Sequence, residues 1–112
     1  MKYERPWGNY QILEDQEPPV CVKIITVNPG SRLSLQKHKL RSERWIALDD
    51  WLTVEINSES RVLFTGDSVF VAAGMVHRIS NKTDKPLRLV ELMYGVYDEE
   101  DIERLEDDYD RS

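Results

Sequence analysis

Apolar and polar residues alternate along most of this chain, and between Pro19 and Gly95 no stretch has the three-to-four-residue repeat of an amphipathic helix. Runs rich in β-branched and aromatic residues fall at 20–27, 32–38, 44–48, 52–56, 61–64, 68–71, 76–80 and 87–94. Between them lie Asn28-Pro29-Gly30, Asp49-Asp50, a polar stretch at 57–60, Thr65-Gly66-Asp67, Ala73-Gly74 and a polar loop at 81–86. Short strands at this spacing predict an all-β sandwich or small barrel over residues 20–95. Residues 1–19 read as an arm ending at Pro18-Pro19, in which Arg5-Pro6-Trp7-Gly8 is expected to pack across a sheet and turn at the glycine. The far end changes pattern. Asp98 is placed to cap a helix over 98–110, with Glu99, Glu100 and Asp101 in its first turn and Ile102, Leu105 and Tyr109 as the stripe that docks on the sandwich as a latch.

With 112 residues the chain is expected to form a single domain, 1–112, with a core of its own. Charge is uneven: of the net −6, the segment from Asp98 onward supplies nine acids against two arginines, which leaves the remainder near +1. A nucleic-acid partner is therefore not expected, for want of a basic face. No apolar run approaches the ~20 residues of a membrane helix, and the start, MKYERPWGNY, lacks the apolar core of a signal peptide. A cytoplasmic protein without membrane contact is the expectation, and the single cysteine, Cys21, agrees with a reducing compartment. A basic group at Lys37, Lys39, Arg41 and Arg44 offers either a small anionic ligand site or a solvated strand edge.

Candidate chemistry concentrates in two loop-bounded stretches. The first, GSRLSLQKHKLRSE at 30–43, holds Gln36, His38 and Glu43; the second, GDSVFVAAGMVHRISN at 66–81, holds His77, the other histidine of the chain. Gln36 and His38, two apart on a strand, project from one face. Two imidazoles, an amide oxygen and a carboxylate make a mixed N/O set for a divalent ion, zinc first, with nickel, iron, cobalt or manganese as alternatives.

The spacing of these stretches resembles a known pattern. Gly30, five residues, Gln36, one residue, His38, four residues and Glu43 are followed by Gly66, five residues, Ala72, one residue, Gly74, two residues, His77, three residues and Asn81. This is similar to the two motifs of the cupin superfamily, which implies a jelly-roll barrel holding a metal inside. Gln36 stands where the first histidine of a usual His-x-His pair falls, Asp50 where the first motif ends in glycine, and Ala72 where proline is usual. Gln-x-His followed by Arg41 and Glu43-x-Trp45, together with RPWG, AAGMVHRISN, LVELMYG and DEEDIERLEDDY, resembles the cupin domain at the C-terminal end of type II phosphomannose isomerases over nearly the whole chain. That resemblance implies Gln36, His38, Glu43 and His77 as metal ligands. It also implies interconversion of mannose 6-phosphate and fructose 6-phosphate, with a metal- and sugar-phosphate-binding module without turnover as the alternative. The nucleotidyltransferase domain that precedes this module in bifunctional relatives is not seen, so sugar-nucleotide synthesis is not expected. Where the family commonly reads QMHHHRAEHW this chain reads QKHKLRSERW, so Lys39, Leu40 and Arg44 replace histidines while Gln36, His38, Arg41, Glu43 and Trp45 are kept.

Strand parity supplies the remaining candidates. Arg32 shares parity with Ser34, Gln36 and His38, and Arg41 shares parity with Glu43 and Trp45, so both are candidates to hold a phosphate or a polarised oxygen. Glu91 shares parity with Leu87, Leu89 and Met93 and is the candidate base, its pKa raised by burial. Lys37 and Lys39 have the opposite parity. Leu33 and Leu35 are expected on the outer face, where a second copy would cover them as a homodimer.

Overall fold

The alternating runs become two antiparallel sheets packed face to face. In the computed structural model, which describes residues 2–11 and 18–108, the first strands are β1 (Lys2–Arg5), β2 (Gly8–Gln11), β3 (Cys21–Val27) and β4 (Leu35–Lys37). They are followed by β5 (Arg41–Ala47), β6 (Leu52–Ile56), β7 (Glu59–Leu63), β8 (Ser68–Val71), β9 (His77–Ser80), β10 (Leu87–Gly95) and β11 (Glu103–Glu106). One sheet has the order β3-β10-β5-β8 and the other β11-β4-β9-β6-β7, while β1 and β2 form a separate hairpin. No α-helix occurs among the described residues. The architecture is an all-β barrel of the jelly-roll kind.

Burial follows the alternation. On β10, Leu87, Leu89, Glu91 and Met93 face inward, and on β5 so do Glu43, Trp45 and Ala47. Opposite them, Leu52, Val54, Leu63 and Ile79 complete an apolar cluster with Val27, Val69 and Val71. Each fully buried large aliphatic side chain there contributes ~1.5–3 kcal/mol. The cluster fills one end of the space between the sheets and leaves the other to polar groups.

Two turns carry conformations that fix the register near the site. Asn57 and Ser58, with φ of 48° and 70°, make the two-residue turn between β6 and β7 whose twist matches a hairpin. Gly95 has φ 100°, and a Cβ there would lie 2.6 Å from the Leu40 carbonyl oxygen, so only glycine lets β10 pass the start of β5.

Three expectations need correction. The helix expected over 98–110 is absent from the described residues; Asp98 caps a single turn, accepting from the Glu100 N–H, and the chain then pairs with β4 as β11. The edge of β4 offers backbone partners to the whole segment, and that outweighs a local helix-start signal. Tyr109, the last residue of the expected stripe, lies outside the described residues. At the other end, Arg5-Pro6-Trp7-Gly8 forms the tip of the β1–β2 hairpin, and Trp7 is 74% exposed instead of packing across a sheet. Between Arg32 and Leu35 the extended pairing is interrupted: Arg32 makes only an isolated bridge to Ser80, and the regular strand begins at Leu35. Parity does not survive that break, so Leu33 lines the inner cavity and Arg32 does not. Exposed apolar side chains lie elsewhere, at Val22, Ile24 and Phe70 on the first sheet.

Candidate metal centre

The polar end of the barrel is a cavity of about 280 Å³. Its walls include Gln36, His38, Glu43, His77, Glu91 and Arg41. Glu43 comes from the first sheet, and Gln36 and His77 are direct partners across the β4–β9 pairing of the second. His38 follows β4 immediately. It is brought inward as the chain turns toward β5, where the Gly74 N–H donates to its carbonyl oxygen at 2.7 Å. Gly74 has φ 87° and sits in the Ala72–Met75 turn that delivers His77, so one glycine supports both histidines.

Both imidazoles are held in the same tautomer. The His38 Nδ1–H donates to the Asp101 carbonyl oxygen at 2.6 Å and the His77 Nδ1–H donates to the Met75 carbonyl oxygen at 2.9 Å. A carbonyl only accepts, so each Nδ1 carries the proton and each Nε2 presents a lone pair to the cavity. Those lone pairs meet a carboxylate: His38 Nε2 is 3.8 Å from Glu43 Oε2 and His77 Nε2 is 3.5 Å from Glu43 Oε1. Glu43 Oε2 is buried without a hydrogen bond. The ligand atoms of His38, Glu43 and His77 all lie within 4.8 Å of one another. Lone pairs converging on a buried carboxylate repel one another unless a cation lies between, so the donor set fits a metal ion. Those three residues could hold one, with the Gln36 side chain on the same wall.

Arg41 is the cation that the chain itself brings to this spot. Its Nη2 donates to His38 Nε2 at 3.1 Å and is 3.3 Å from Glu43 Oε2, and its guanidinium lies over the Tyr97 ring at 5.6 Å. Arg41 Nε is buried without a hydrogen bond, and the Trp45 indole N–H is directed toward the Glu43 and Glu91 carboxyls. Burial dominates the titration of the cluster. It pushes the His38 pKa down to about 4, helped by the positive charges of Arg41 and of His77 when protonated, and it lowers that of His77. Burial also raises Glu43, against the pull of Arg41, and lifts Glu91 to about 7, with the Glu43 charge adding to the rise. Glu91 is thus a buried carboxyl that lines the same cavity as the ligand cluster.

The other sequence candidates separate. Arg32 lies outside this cavity: its guanidinium is bidentate to Asp108 at 2.8 and 3.0 Å, and it lines a second cavity with Thr53, Ser80 and Asn81. Of the basic group, Arg41 alone lines the metal cavity; Lys37 pairs with Glu103 at 3.4 Å and Arg44 stacks on Phe70 at 5.5 Å. Sequence reasoning passed over Lys23, which lines the cavity and donates to the Tyr97 hydroxyl at 3.1 Å. Its signal was available, since Lys23 shares parity with Ile25 and Val27. Asp101 was also missed, because a helix reading put it in solvent.

The family model for the mannose-6-phosphate isomerase C-terminal domain matches residues 1–107. The chain belongs to this family. Alginate biosynthesis protein AlgA of Pseudomonas aeruginosa is 41% identical over 96% of the chain, and mannose-1-phosphate guanylyltransferase ManC of Salmonella typhimurium is 39% identical over 96%. Among solved structures, a Cupin 2 conserved barrel domain protein from Salinispora arenicola aligns with 67% of the chain and 62% of its own at TM-score 0.61 and 23% identity, which supports the cupin fold. The chain spans only 22% of the length of each of these two relatives. Their names correct the functional expectation. A self-contained enzyme of mannose 6-phosphate and fructose 6-phosphate interconversion does not stand when relatives carry guanylyltransferase and polysaccharide-biosynthesis names over chains several times longer. The exclusion of sugar-nucleotide synthesis falls with it. What holds is membership of an enzyme family of mannose-phosphate metabolism, a cupin barrel and three residues able to hold a metal. Among the described residues no helix is long and apolar enough to cross a membrane.

Proposed function

We propose that this chain is a metal-binding cupin module of mannose-phosphate metabolism that works alongside a sugar nucleotidyltransferase, binding a small phosphorylated sugar next to a divalent ion. The observation that carries the reading is the convergence of the buried His38, Glu43 and His77, whose ligand atoms all lie within 4.8 Å of one another. His38, Glu43 and His77 hold the ion, and Gln36 adds its amide oxygen. The N/O donor set makes zinc the first choice, with nickel, iron, cobalt and manganese behind it. When bound, the ion supplies Lewis acidity to ligand oxygens. Glu91 accepts or returns a proton at the inner wall, supported by a pKa near 7. Arg41 and Lys23, both against Tyr97 at the edge of the cavity, meet the anionic end of the sugar. Arg32 has no part in this site. A homodimer remains part of the proposal, with the exposed Val22, Ile24 and Phe70 in place of the half-buried Leu33 and Leu35, and a monomeric mass in sedimentation at micromolar concentration would remove it.

Isothermal titration of mannose 6-phosphate, mannose 1-phosphate and unphosphorylated mannose into zinc-loaded protein tests the reading. Binding of a phosphorylated sugar that needs the ion and weakens in Lys23→Met supports it. Equal response to mannose and its phosphates, or binding indifferent to chelation, overturns it.

A further inference from the structure

Asp101 makes three contacts with the stretch that carries His38, and none of them serves a helix. Its carbonyl oxygen receives the His38 Nδ1–H at 2.6 Å, while its carboxylate accepts from the backbone N–H of Lys39 at 2.9 Å and of Leu40 at 2.8 Å. One residue therefore grips both the ring of His38 and the backbone that follows it. The grip on the backbone is a carboxylate accepting two amide hydrogen bonds, a charge-assisted arrangement. The segment bearing Asp101 is tied down on either side. The Asp101 N–H donates to the Asp98 carbonyl, β11 pairs Glu103 with Lys37 and Arg104 with Gln36, and Arg78 Nη1 donates to Glu106 at 3.0 Å. Electrostatics favour the same seat: Glu103 pairs with Lys37, Glu106 with Arg78 and Asp108 with Arg32.

We propose that Asp101 is a positioning residue for the metal centre and that the acidic segment through β11 is a strap whose docking is coupled to metal binding. The inference rests on the metal-binding reading above. With the strap seated, the Asp101 carbonyl fixes His38 as the Nδ1–H tautomer with Nε2 aimed at Glu43 and His77. With the strap displaced, the ring is free to rotate and to exchange tautomers, and the ion loses a preorganised ligand. Coupling is reciprocal: whatever the strap adds to metal affinity, the ion adds to strap docking.

The test compares the full chain with Asp101→Ala and with Asp108→Ala, the latter removing the Arg32 ion pair without touching His38. Asp101→Ala keeps the carbonyl but removes the carboxylate that seats it against Lys39 and Leu40, so zinc affinity, read by competition with a chromophoric chelator, is expected to fall by up to ~10–100-fold, the range for a metal-bound histidine that loses its outer partner. Asp108→Ala is expected to change it less than ~3-fold, as a surface ion pair away from the ligands. Unchanged affinity in Asp101→Ala, or equal loss in both variants, overturns the proposal. Two measurements on the unmutated chain stand if Asp101→Ala fails to fold. Long-range ¹⁵N–¹H correlation of the chelator-treated protein should give His38 as the Nδ1–H tautomer, and an Nε2–H tautomer overturns the proposal whether or not zinc binds. Zinc should also slow amide exchange at Lys39, Leu40 and the strap; bound zinc with no added protection there breaks the coupling. Failure of the unmutated chain to bind zinc at all sinks the metal reading itself, a result distinct from each of these.

Discussion

The two ends of the space between the sheets use the same strands to opposite effect. At one end β5 and β10 present Ala47, Leu87 and Leu89 to Leu52, Val54 and Leu63; at the other they present Glu43 and Glu91 to His38 and His77. Alternation is uninterrupted along both strands, so the backbone does not distinguish the ends. The difference lies in what each inward side chain loses when buried. The leucines lose only unfavourable water contact, whereas the carboxyls and imidazoles lose hydration and find incomplete partners in return. The apolar end supports stability, and part of that stability is set against holding an uncompensated polar cluster at the other.

Substitutions at the two ends should therefore separate stability from binding. The largest stability effect is expected from Leu89→Ala, which empties a fully buried position and should cost about 2–5 kcal/mol in chemical denaturation. Its metal stoichiometry should remain that of the unmutated chain. His77→Ala is the converse. Losing a ligand should lower zinc affinity by at least ~100-fold, the upper end of what removing a mere outer partner does, with no comparable loss of stability in chelator. If one substitution damaged both properties to a similar degree, the division between the ends would be false.

Smaller effects follow from titration of the polar end, measured in chelator. Glu91 has a folded pKa of about 7, above its ordinary 4.5, so its contribution is fully present below about pH 4.5 and is lost as pH rises through 7. Glu91→Gln should remove that loss and gain up to roughly 3 kcal/mol over the unmutated chain at pH 8, with little difference at pH 4.5. His38, held at about 4 against an ordinary 6.5, has the opposite sign: stability is present above 6.5 and lost as pH falls toward 4. The unmutated chain should be most stable between these limits, and pH-dependent denaturation of Glu91→Gln should move the optimum upward. A Glu91→Gln curve parallel to that of the unmutated chain at every pH would deny that the carboxyl is dehydrated. The smallest change is expected at the cavity edge, where Lys23→Met should weaken phosphorylated-sugar binding several-fold, consistent with loss of ~1 kcal/mol from a solvent-accessible charge contact.

How much of this was legible from residues depends on how local each feature is. All eight β-type runs correspond to strands, because alternation and turn residues act over a few positions. Glu91 was legible for the same reason, and Lys23 would have been had parity been followed along β3 as well. Arg32 was misplaced since parity holds only while the strand continues, and here it breaks between Arg32 and Leu35. The acidic end shows a different limit. Asp98-Glu99-Glu100-Asp101 carries a sound helix-start signal, yet its partners are the β4 edge and two amides more than sixty positions earlier. A contact of that separation leaves no local trace, whereas the link to bifunctional nucleotidyltransferase relatives was carried by the motifs themselves.

Titration of cobalt(II) or zinc into chelator-stripped protein, with His77→Ala alongside, tests the central claim most directly. The account predicts one ion per chain in the unmutated protein, a cobalt absorption spectrum with imidazole and carboxylate ligands, and loss of both in the variant. Absence of stoichiometric binding, or binding that His77→Ala leaves intact, would contradict it.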